Sequence, residues 1–571
     1  MTILSDNALK VAESRYFMED EDWEKCCDRV ASTVAQAERN DFKKYKDEFF
    51  EMIYAMDFLP GGRIFRNAGR LRGSLLNCFL LPIGDSIKEI GQCKMNSLIL
   101  WSDGGGIGYN LSSLRPKGAP IQGIGGESSG LVSFMKTLDY DASVIQIGGG
   151  RRAAALGGCN ITHPDIEEFL DLKLKDGELS HFNLSVNITN DFIEAVRDDL
   201  DWELKFAQKT YKKVKARYLW DKILTNMIKC GEPGLLNFSN VMKNNSYYFS
   251  QILGCNPCAE AILPAYGACD LGSVVLPKFI TGTLYTNWIK LDKTLRLAVR
   301  FLDCVLDVNK YILDEIKTVS KNERRIGIGF MGLSEYFFMK KIRYGSEKSL
   351  IETEKLMRFI RDTVYDESVN LAIEKGAFPA FEPTAYCKAS FIRKLPARLR
   401  MRIRENGIRN VSLIALAPSG TISLLADVTS GIEPLASKAY IRKDRVGDRT
   451  YIHPLYKEMI SKNEDTPEWF VDSSDLLPEH HFEIQAMCQK YTCGGVSKTI
   501  LLPKMTSKKE LDKLLLEYLP DLKGCTVYRD GSKEGQPINY LTKEEAKKYI
   551  QDSTTELSEN DVECKIGGCD I

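Results

Sequence analysis

An α/β fold built on a mostly parallel sheet or barrel is the architecture this sequence predicts, and three observations predict it. Short apolar runs recur from about residue 51 to 530 (SLLNCFLLP, HFNLSVNI, GSVVLP, VSLIALAP, SKTILLP) and read as buried strands. Amphipathic stretches such as DIEEFLDLKLK and LDKTLRLAVRFLDCVLDVNKYI lie between them, the alternation that parallel strands need for their crossovers. No Pro-rich or Ser-rich linker divides this span, so it is expected to be one large domain.

The flanks differ in character. Residues 1–50 read as a helical segment, since Asp22 to Asp41 carries apolar residues at three- and four-residue spacing among many charges. After residue 535 one lysine-rich helix (TKEEAKKYIQD) precedes the polar, acidic STTELSENDVE, so 536–571 is expected to be a flexible tail. With 571 residues, 44% hydrophobic and 27% charged, the chain is neither disordered, collagen-like nor supercharged. A net charge of -1 offers no overall attraction to nucleic acid or to a membrane surface, so any anionic ligand must be held locally. The start lacks the basic-then-apolar layout of a signal peptide and no apolar run is long enough to span a bilayer, so a cytoplasmic location is expected.

Sixteen cysteines in such a chain are expected to be mostly reduced thiols, so their spacing carries the information. Cys93, Cys159, Cys230, Cys304 and Cys387 stand alone and read as small apolar residues. Cys488 and Cys493, ahead of SKTILLP, read as structural. Two clusters differ: GCNPCAEAILPAYGACD holds Cys255, Cys258 and Cys269, and the last residues hold Cys564 and Cys569. If NPCAE is extended, Asn256, Cys258 and Glu260 face one way and present an amide, a thiol and a carboxylate to one substrate. Cys255-x-x-Cys258 also suits a thioredoxin-like dithiol or half a zinc site. With only five histidines and no second C-x-x-C, no metal is expected.

The glycine-rich segments are less specific. Gly327, Gly329 and Gly332 make a formal G-x-G-x-x-G, but the polar segment before them favours a tight strand-to-helix turn over a dinucleotide site. SDGGGIGYN and IGGGRRAAALGG read as flexible loops, the second bringing Arg151 and Arg152. Pro418, Ser419, Gly420, Thr421 and Ile422, between VSLIALA and a helical pattern, read either as a phosphate cradle or as an ordinary capped helix start.

These segments together resemble the ribonucleotide reductase catalytic subunit family over about residues 7–535: NAG at 67–69, LLNCFLLPIGDSI, GGGRRAAALGG leading into THPDIEEF, FNLSV, NPCAE, RRIGIGFMGL, ALAPSGTISLLADVTSGIEP, SKTILLP and CTVYRDGS. The resemblance implies a ten-stranded α/β barrel with Cys258 on a finger loop inside it. It implies that Cys258 forms a transient thiyl radical that takes the 3′-hydrogen of a ribonucleotide, with Glu260 as base on the 3′-hydroxyl and Asn256 holding it. Cys78 and Cys269 would be the reducing pair, re-reduced by Cys564 and Cys569 and then by thioredoxin or glutaredoxin. Substrate would be held at 418–422, Asn77 and Asn183. A deoxynucleotide or ATP effector would be read at a homodimer interface by Asp85, Ser86 and Ile87, by the segment around Gly125–Gly130, and by the 148–155 loop with Arg151 and Arg152. No N-terminal ATP-binding four-helix module fits, so control by dATP is not expected.

CTVYRDGS offers one tyrosine, Tyr528, where members using a separate radical subunit need two. The chain therefore resembles most the adenosylcobalamin-dependent type, acting on ribonucleoside diphosphates. A reductase subunit needing a separate metal-containing protein is the alternative within the family, and a C-x-x-C thiol-disulfide oxidoreductase the alternative outside it. One departure stands out: GGRIFRNAG puts Ile64 where the family often has a phosphate-supporting Thr, with Arg63 as its candidate replacement.

Overall fold

The computed structural model describes residues 4–550 apart from 122, 124, 146–152, 175–176, 283, 445–446 and 531–537. Three helices open the chain: Asp6–Arg15, Trp23–Ala35 and Phe42–Tyr54. Ser5 and Asp22 cap the first two by accepting the backbone N–H groups of Ala8 and Lys25. The second buries Cys26, Cys27, Val30, Ala31 and Val34 on one face, so the adjacent cysteines are core residues.

The body is mixed α/β. Seven strands pair in the order Thr499–Leu502, Gly524–Arg529, Gly234–Asn237, Phe182–Ile188, Ala154–Asn160, Gly106–Asn110 and Cys78–Leu81. All neighbours are parallel except Gly524–Arg529 against Gly234–Asn237. A second sheet orders Phe58–Pro60, Leu271–Val275 and Gly327–Met331, the last two parallel. The crossover between those two contains the helix Trp288–Val308, capped by Asn287 and burying Leu291, Leu295, Ala298, Leu302 and Val305. Single bridges link the sheets: Phe79 with Ala268 antiparallel, Ile328 with Ile414 and Leu416 with Val496 parallel. VSLIALA thus contributes two bridges rather than a full strand.

Two glycine-rich segments expected as loops supply strands instead. GIGYN and AALGGCN, at Gly106–Asn110 and Ala154–Asn160, lie side by side in the large sheet. Their glycines make room for close neighbours: a Cβ on Gly108 would sit 1.9 Å from the Cys255 carbonyl oxygen. Gly332, at φ 80°, makes the turn from the strand Gly327–Met331 into the helix Leu333–Met339, so the formal dinucleotide motif is a strand-to-helix turn. Cys93, Cys159 and Cys304 are buried, and Cys230 and Cys387 half-buried.

The chain beyond 535 packs further than its composition suggests. Ile538–Tyr540 pairs with Ala439–Asp444, and Ala546 is buried against Phe338, Leu435, Tyr456 and Phe470. The tail expected from residue 536 is therefore held on the body as far as 550. Cys564 and Cys569 lie outside the described residues. Among the described residues no helix is long and apolar enough to cross a membrane.

Candidate active site

The strands Ile252–Cys255 and Ile262–Pro264 form an antiparallel hairpin, and residues 256–261 are its loop. NPCAE is therefore a turn and not the extended segment expected. The Asn256 backbone carbonyl accepts from Ala259 N–H at 3.0 Å, its Oδ1 accepts from Ala261 N–H at 3.0 Å, and Ala259 stands at φ 62°. Asn256 thereby spends its side-chain oxygen on closing the loop. The turn does the separating that alternation was expected to do: Cys258 is exposed at the tip, while Asn256 and Glu260 are buried beneath it.

A cavity of about 160 Å³ opens at this tip, lined among others by Asn77, Cys78, Cys258, Glu260, Pro418, Ser419 and Ile422. Seven residues expected at the site from three separate segments thus meet there. Its remaining wall is largely backbone: Gly61, Gly62, Gly104, Gly105, Gly106 and Gly272, with Ser273. Sequence reading missed these, although the pairs and triplets of glycine at 61–62 and 104–106 were the available signal, since main chain that must approach a ligand tolerates no Cβ. A Cβ on Gly106 would lie 3.3 Å from both Cys78 Sγ and Pro257 Cγ.

Cys78 and Cys269 face each other across the join between the sheets. The Phe79–Ala268 bridge sets that register, and Cys269 N–H donates to the Cys78 carbonyl at 2.9 Å. Antiparallel neighbours stand about 4.5–5.5 Å apart at Cα, a separation a disulfide spans. No disulfide joins the two in this structure. Burial, reinforced by the nearby Cys78 and Glu260, pushes the Cys269 thiol well up, so it keeps its proton. Cys255 behaves differently. It is packed among Leu156, Leu236, Val241, Ile252 and Ile262, and burial pushes its thiol up to about 12. A Cys255–Cys258 dithiol finds no support in this arrangement.

Glu260 is 2% exposed, and burial raises its carboxyl pKa while Asn256 partly opposes that. Neither Glu260 Oε2 nor Asn256 Nδ2 completes a hydrogen bond; Glu260 lines the cavity, where a polar ligand would satisfy its open oxygen, and Asn256 is outside that lining.

Other expected residues fall elsewhere. Asn183 lies on the strand Phe182–Ile188 with its side chain exposed, outside the cavity lining. Gly420, at φ 53° and ψ −116°, and Thr421 line a neighbouring cavity, and Thr421 Oγ1 meets the Tyr16 hydroxyl. Arg63 does not replace the missing Thr in the cavity wall; it is buried and donates to the Asp103 carboxylate and carbonyl, while Ile64 is in the core. The Asp85 carboxylate accepts from Arg115 N and Nε, both at 2.8 Å, and Ser86 caps the helix Ile87–Ser102 in a capping box with Glu89. Ile87 is exposed beside them. Arg151 and Arg152 lie outside the described residues. Tyr528 sits on Gly524–Arg529, paired with Leu501.

Replacing Gly108 by alanine should drive its methyl into the Cys255 carbonyl at the base of the hairpin. Overpacking of this kind costs about 1–3 kcal/mol, and here the displaced element carries Cys258. A lowered melting temperature together with lost turnover is expected.

Comparison with known proteins agrees with this geometry. Residues 76–528 match the model of the ribonucleotide reductase barrel domain, and residues 3–73 that of the ribonucleotide reductase all-alpha domain. A vitamin B12-dependent ribonucleoside-diphosphate reductase of Thermoplasma acidophilum is 33% identical, covering 92% of this chain and 72% of its own. One of the same name from Mycobacterium tuberculosis is 32% identical over 99% of this chain and 82% of its own. The ribonucleoside-diphosphate reductase subunit alpha of Mycoplasma pneumoniae is 25% identical over 91% of this chain and 81% of its own. With a thiol-bearing hairpin tip, a facing cysteine pair and two matching domain models spanning nearly all of it, the chain belongs to the ribonucleotide reductase family.

Proposed function

We propose that the chain is an adenosylcobalamin-dependent ribonucleoside-diphosphate reductase acting through a thiyl radical on Cys258. The observation that carries this reading is the single cavity shared by Cys258, Glu260 and Cys78, with Cys269 directly behind Cys78. The names of the relatives support the cofactor and the diphosphate substrate.

Oxidised to the thiyl, Cys258 takes the 3′-hydrogen of the ribose and becomes a thiol. The Glu260 carboxylate accepts the proton of the 3′-hydroxyl, which Asn256 Nδ2 holds. The 2′-hydroxyl leaves as water with a proton from the Cys78–Cys269 pair. The two thiols supply two electrons and end as a disulfide: the second thiol's hydrogen goes to C2′, Glu260 returns its proton to the 3′-oxygen, and the hydrogen on Cys258 returns to C3′, restoring the thiyl. Adenosylcobalamin, when bound, supplies the initial oxidant by homolysis of its cobalt–carbon bond. The residues fit it: Cys258 is exposed, and the rim beside it is glycine main chain, Gly104–Gly106 with Pro257, against which its adenosyl group would be held.

The pairings also support the ten-stranded barrel. Seven strands in one sheet, two parallel strands of the other and the 414–416 segment follow one another through ladders and bridges back to Thr499–Leu502, with the Cys258 hairpin inside. A homodimer reading the effector at Asp85–Ile87 is supported by the helices Ile87–Ser102 and Leu131–Val144. They are tied by Lys94–Asp141 at 3.1 Å and leave Ile87, Met95, Tyr140 and Val144 exposed.

The test is CDP reduction by the purified chain with dithiothreitol and no other protein. Turnover that requires adenosylcobalamin is expected; turnover only on adding a separate radical subunit would favour the alternative within the family. Cys564→Ser should lose turnover with thioredoxin and keep it with dithiothreitol, and equal loss with both reductants would remove the tail from the cycle.

A further inference from the structure

Two walls of the active-site cavity come from segments far apart in the chain: Gly61 and Gly62 form one, and Pro418, Ser419 and Ile422 another. Tyr16, which the reaction above does not use, reaches both. It follows the helix Asp6–Arg15 and is buried. Its hydroxyl shares a hydrogen bond with Thr421 Oγ1, on the short helix Thr421–Leu425 that carries Ile422. The same hydroxyl lies 3.1 Å from the position a Cβ on Gly62 would take, and Thr421 Oγ1 lies 3.6 Å from it. Gly62 therefore lacks a side chain at the place where the tyrosine hydroxyl passes behind it.

On the Gly62 side the tyrosine is held at several points. Arg29 donates from Nη2 to the Tyr16 carbonyl at 3.3 Å, and from Nη1 to the Phe65 and Ala68 carbonyls at 2.9 and 2.7 Å. One guanidinium thus ties the main chain of Tyr16 to the helix Gly62–Asn67 and its C-cap, Ala68. Glu21 orients that guanidinium, accepting from Nε at 2.6 Å. The Tyr16 ring also packs on the buried Phe65, with ring centroids 5.3 Å apart. The turn at 418–422 is tied within its own stretch of chain: Ser419 N–H donates to Ser430 Oγ at 2.9 Å, and Gly431 N–H to Ser419 Oγ at 3.2 Å. The Tyr16–Thr421 bond joins these two units.

We propose that Tyr16 sets the span between the 61–62 and 418–422 walls through its bond to Thr421, and so governs how tightly the cavity holds a nucleoside diphosphate. Tyr16 is a positioning residue and touches no substrate. Its effect falls on binding rather than on the chemical step, because other elements place the reacting groups. The hairpin places Cys258 and Glu260, and the join between the sheets places Cys78 and Cys269. A contact felt equally by bound substrate and transition state alters KM and leaves kcat alone. The identity of the ligand rests on the proposed function, whereas the link between the walls does not.

The experiment compares wild type, Y16F, T421V and the double variant. It reads kcat and KM for CDP with adenosylcobalamin and dithiothreitol, and CDP binding without the cofactor by calorimetry. Y16F removes one hydroxyl and keeps the ring on Phe65, so it should fold. Its KM and CDP dissociation constant should rise about tenfold, the effect of losing one buried hydrogen bond, with kcat within about threefold of wild type. In the T421V background the Tyr16 change should alter either quantity by no more than about twofold, since both variants remove the same bond. An unchanged KM in Y16F, a kcat lowered as far as KM is raised, or a Y16F effect equally large with and without the Thr421 hydroxyl would overturn the inference. If Y16F does not fold, T421V decides: it removes the other end of the bond, and a wild-type KM in it would overturn the inference. A wild-type chain that binds CDP and does not turn over with the cofactor would count against the proposed function, and the binding comparison would still judge Tyr16. A wild-type chain that binds no CDP would overturn both.

Discussion

Replacing Cys258 by alanine should abolish ribonucleotide reduction and leave the fold intact. The side chain sits exposed at the tip of the loop, and surface substitutions of this kind change stability by about 0.5 kcal/mol or less. Turnover should fall below about one-thousandth of wild type, as when the reacting group itself is removed. Cys255→Ser is the control that separates a radical reductase from a dithiol oxidoreductase. Cys255 packs in an apolar cluster, and a hydroxyl buried there without a partner costs about 1–3 kcal/mol. The variant should therefore melt earlier and still turn over. Deoxynucleotide formation under dithiothreitol, measured beside thermal melts, checks both. A folded Cys255→Ser that is inactive would return the assignment to the C-x-x-C pair.

Much of this was legible from residue pattern, and what was not has physical causes. The apolar strands LLNCFLLP and FNLSVNI and the crossover helix Trp288–Val308 announce themselves because their side chains fill the core. The strands Gly106–Asn110 and Ala154–Asn160 do not, because other groups press on their glycines: the Cys255 carbonyl on Gly108, the Met135 side chain on Gly157 and the Tyr109 carbonyl on Gly158. Their glycines read as flexibility and serve as clearance. The site residues were visible as motifs, but their distribution over the turn was not. Asn256 uses its oxygen to close the loop, so burial, and not strand alternation, separates Cys258 from Glu260. Arg63 was misread for a different reason: its partner Asp103 is forty residues away and nothing local points to it.

Glu260→Gln should slow reduction by about 10²–10⁴-fold, the usual contribution of a general base, and its pH dependence distinguishes a base from a group that merely fills space. Burial raises the Glu260 carboxyl pKa, with Asn256 opposing. A base must be ionised to accept the 3′-hydroxyl proton, so the acid limb of the wild-type pH–rate profile should lie above the ordinary carboxylate range. The glutamine variant should lose that limb along with the rate. Stability follows the same shift. With the folded pKa above the unfolded one, the native state holds a proton that the unfolded state has released. The contribution of Glu260 to stability is therefore fully present below the unfolded pKa and is lost as pH rises through the folded one. Glutamine stays neutral throughout and loses nothing across that window. The melting temperature of Glu260→Gln relative to wild type should consequently rise with pH, even as its turnover stays low. A difference that falls with pH instead would mean that the native site stabilises the carboxylate, and the open Oε2 beside the cavity would then be held by a positive group rather than offered to a substrate hydroxyl.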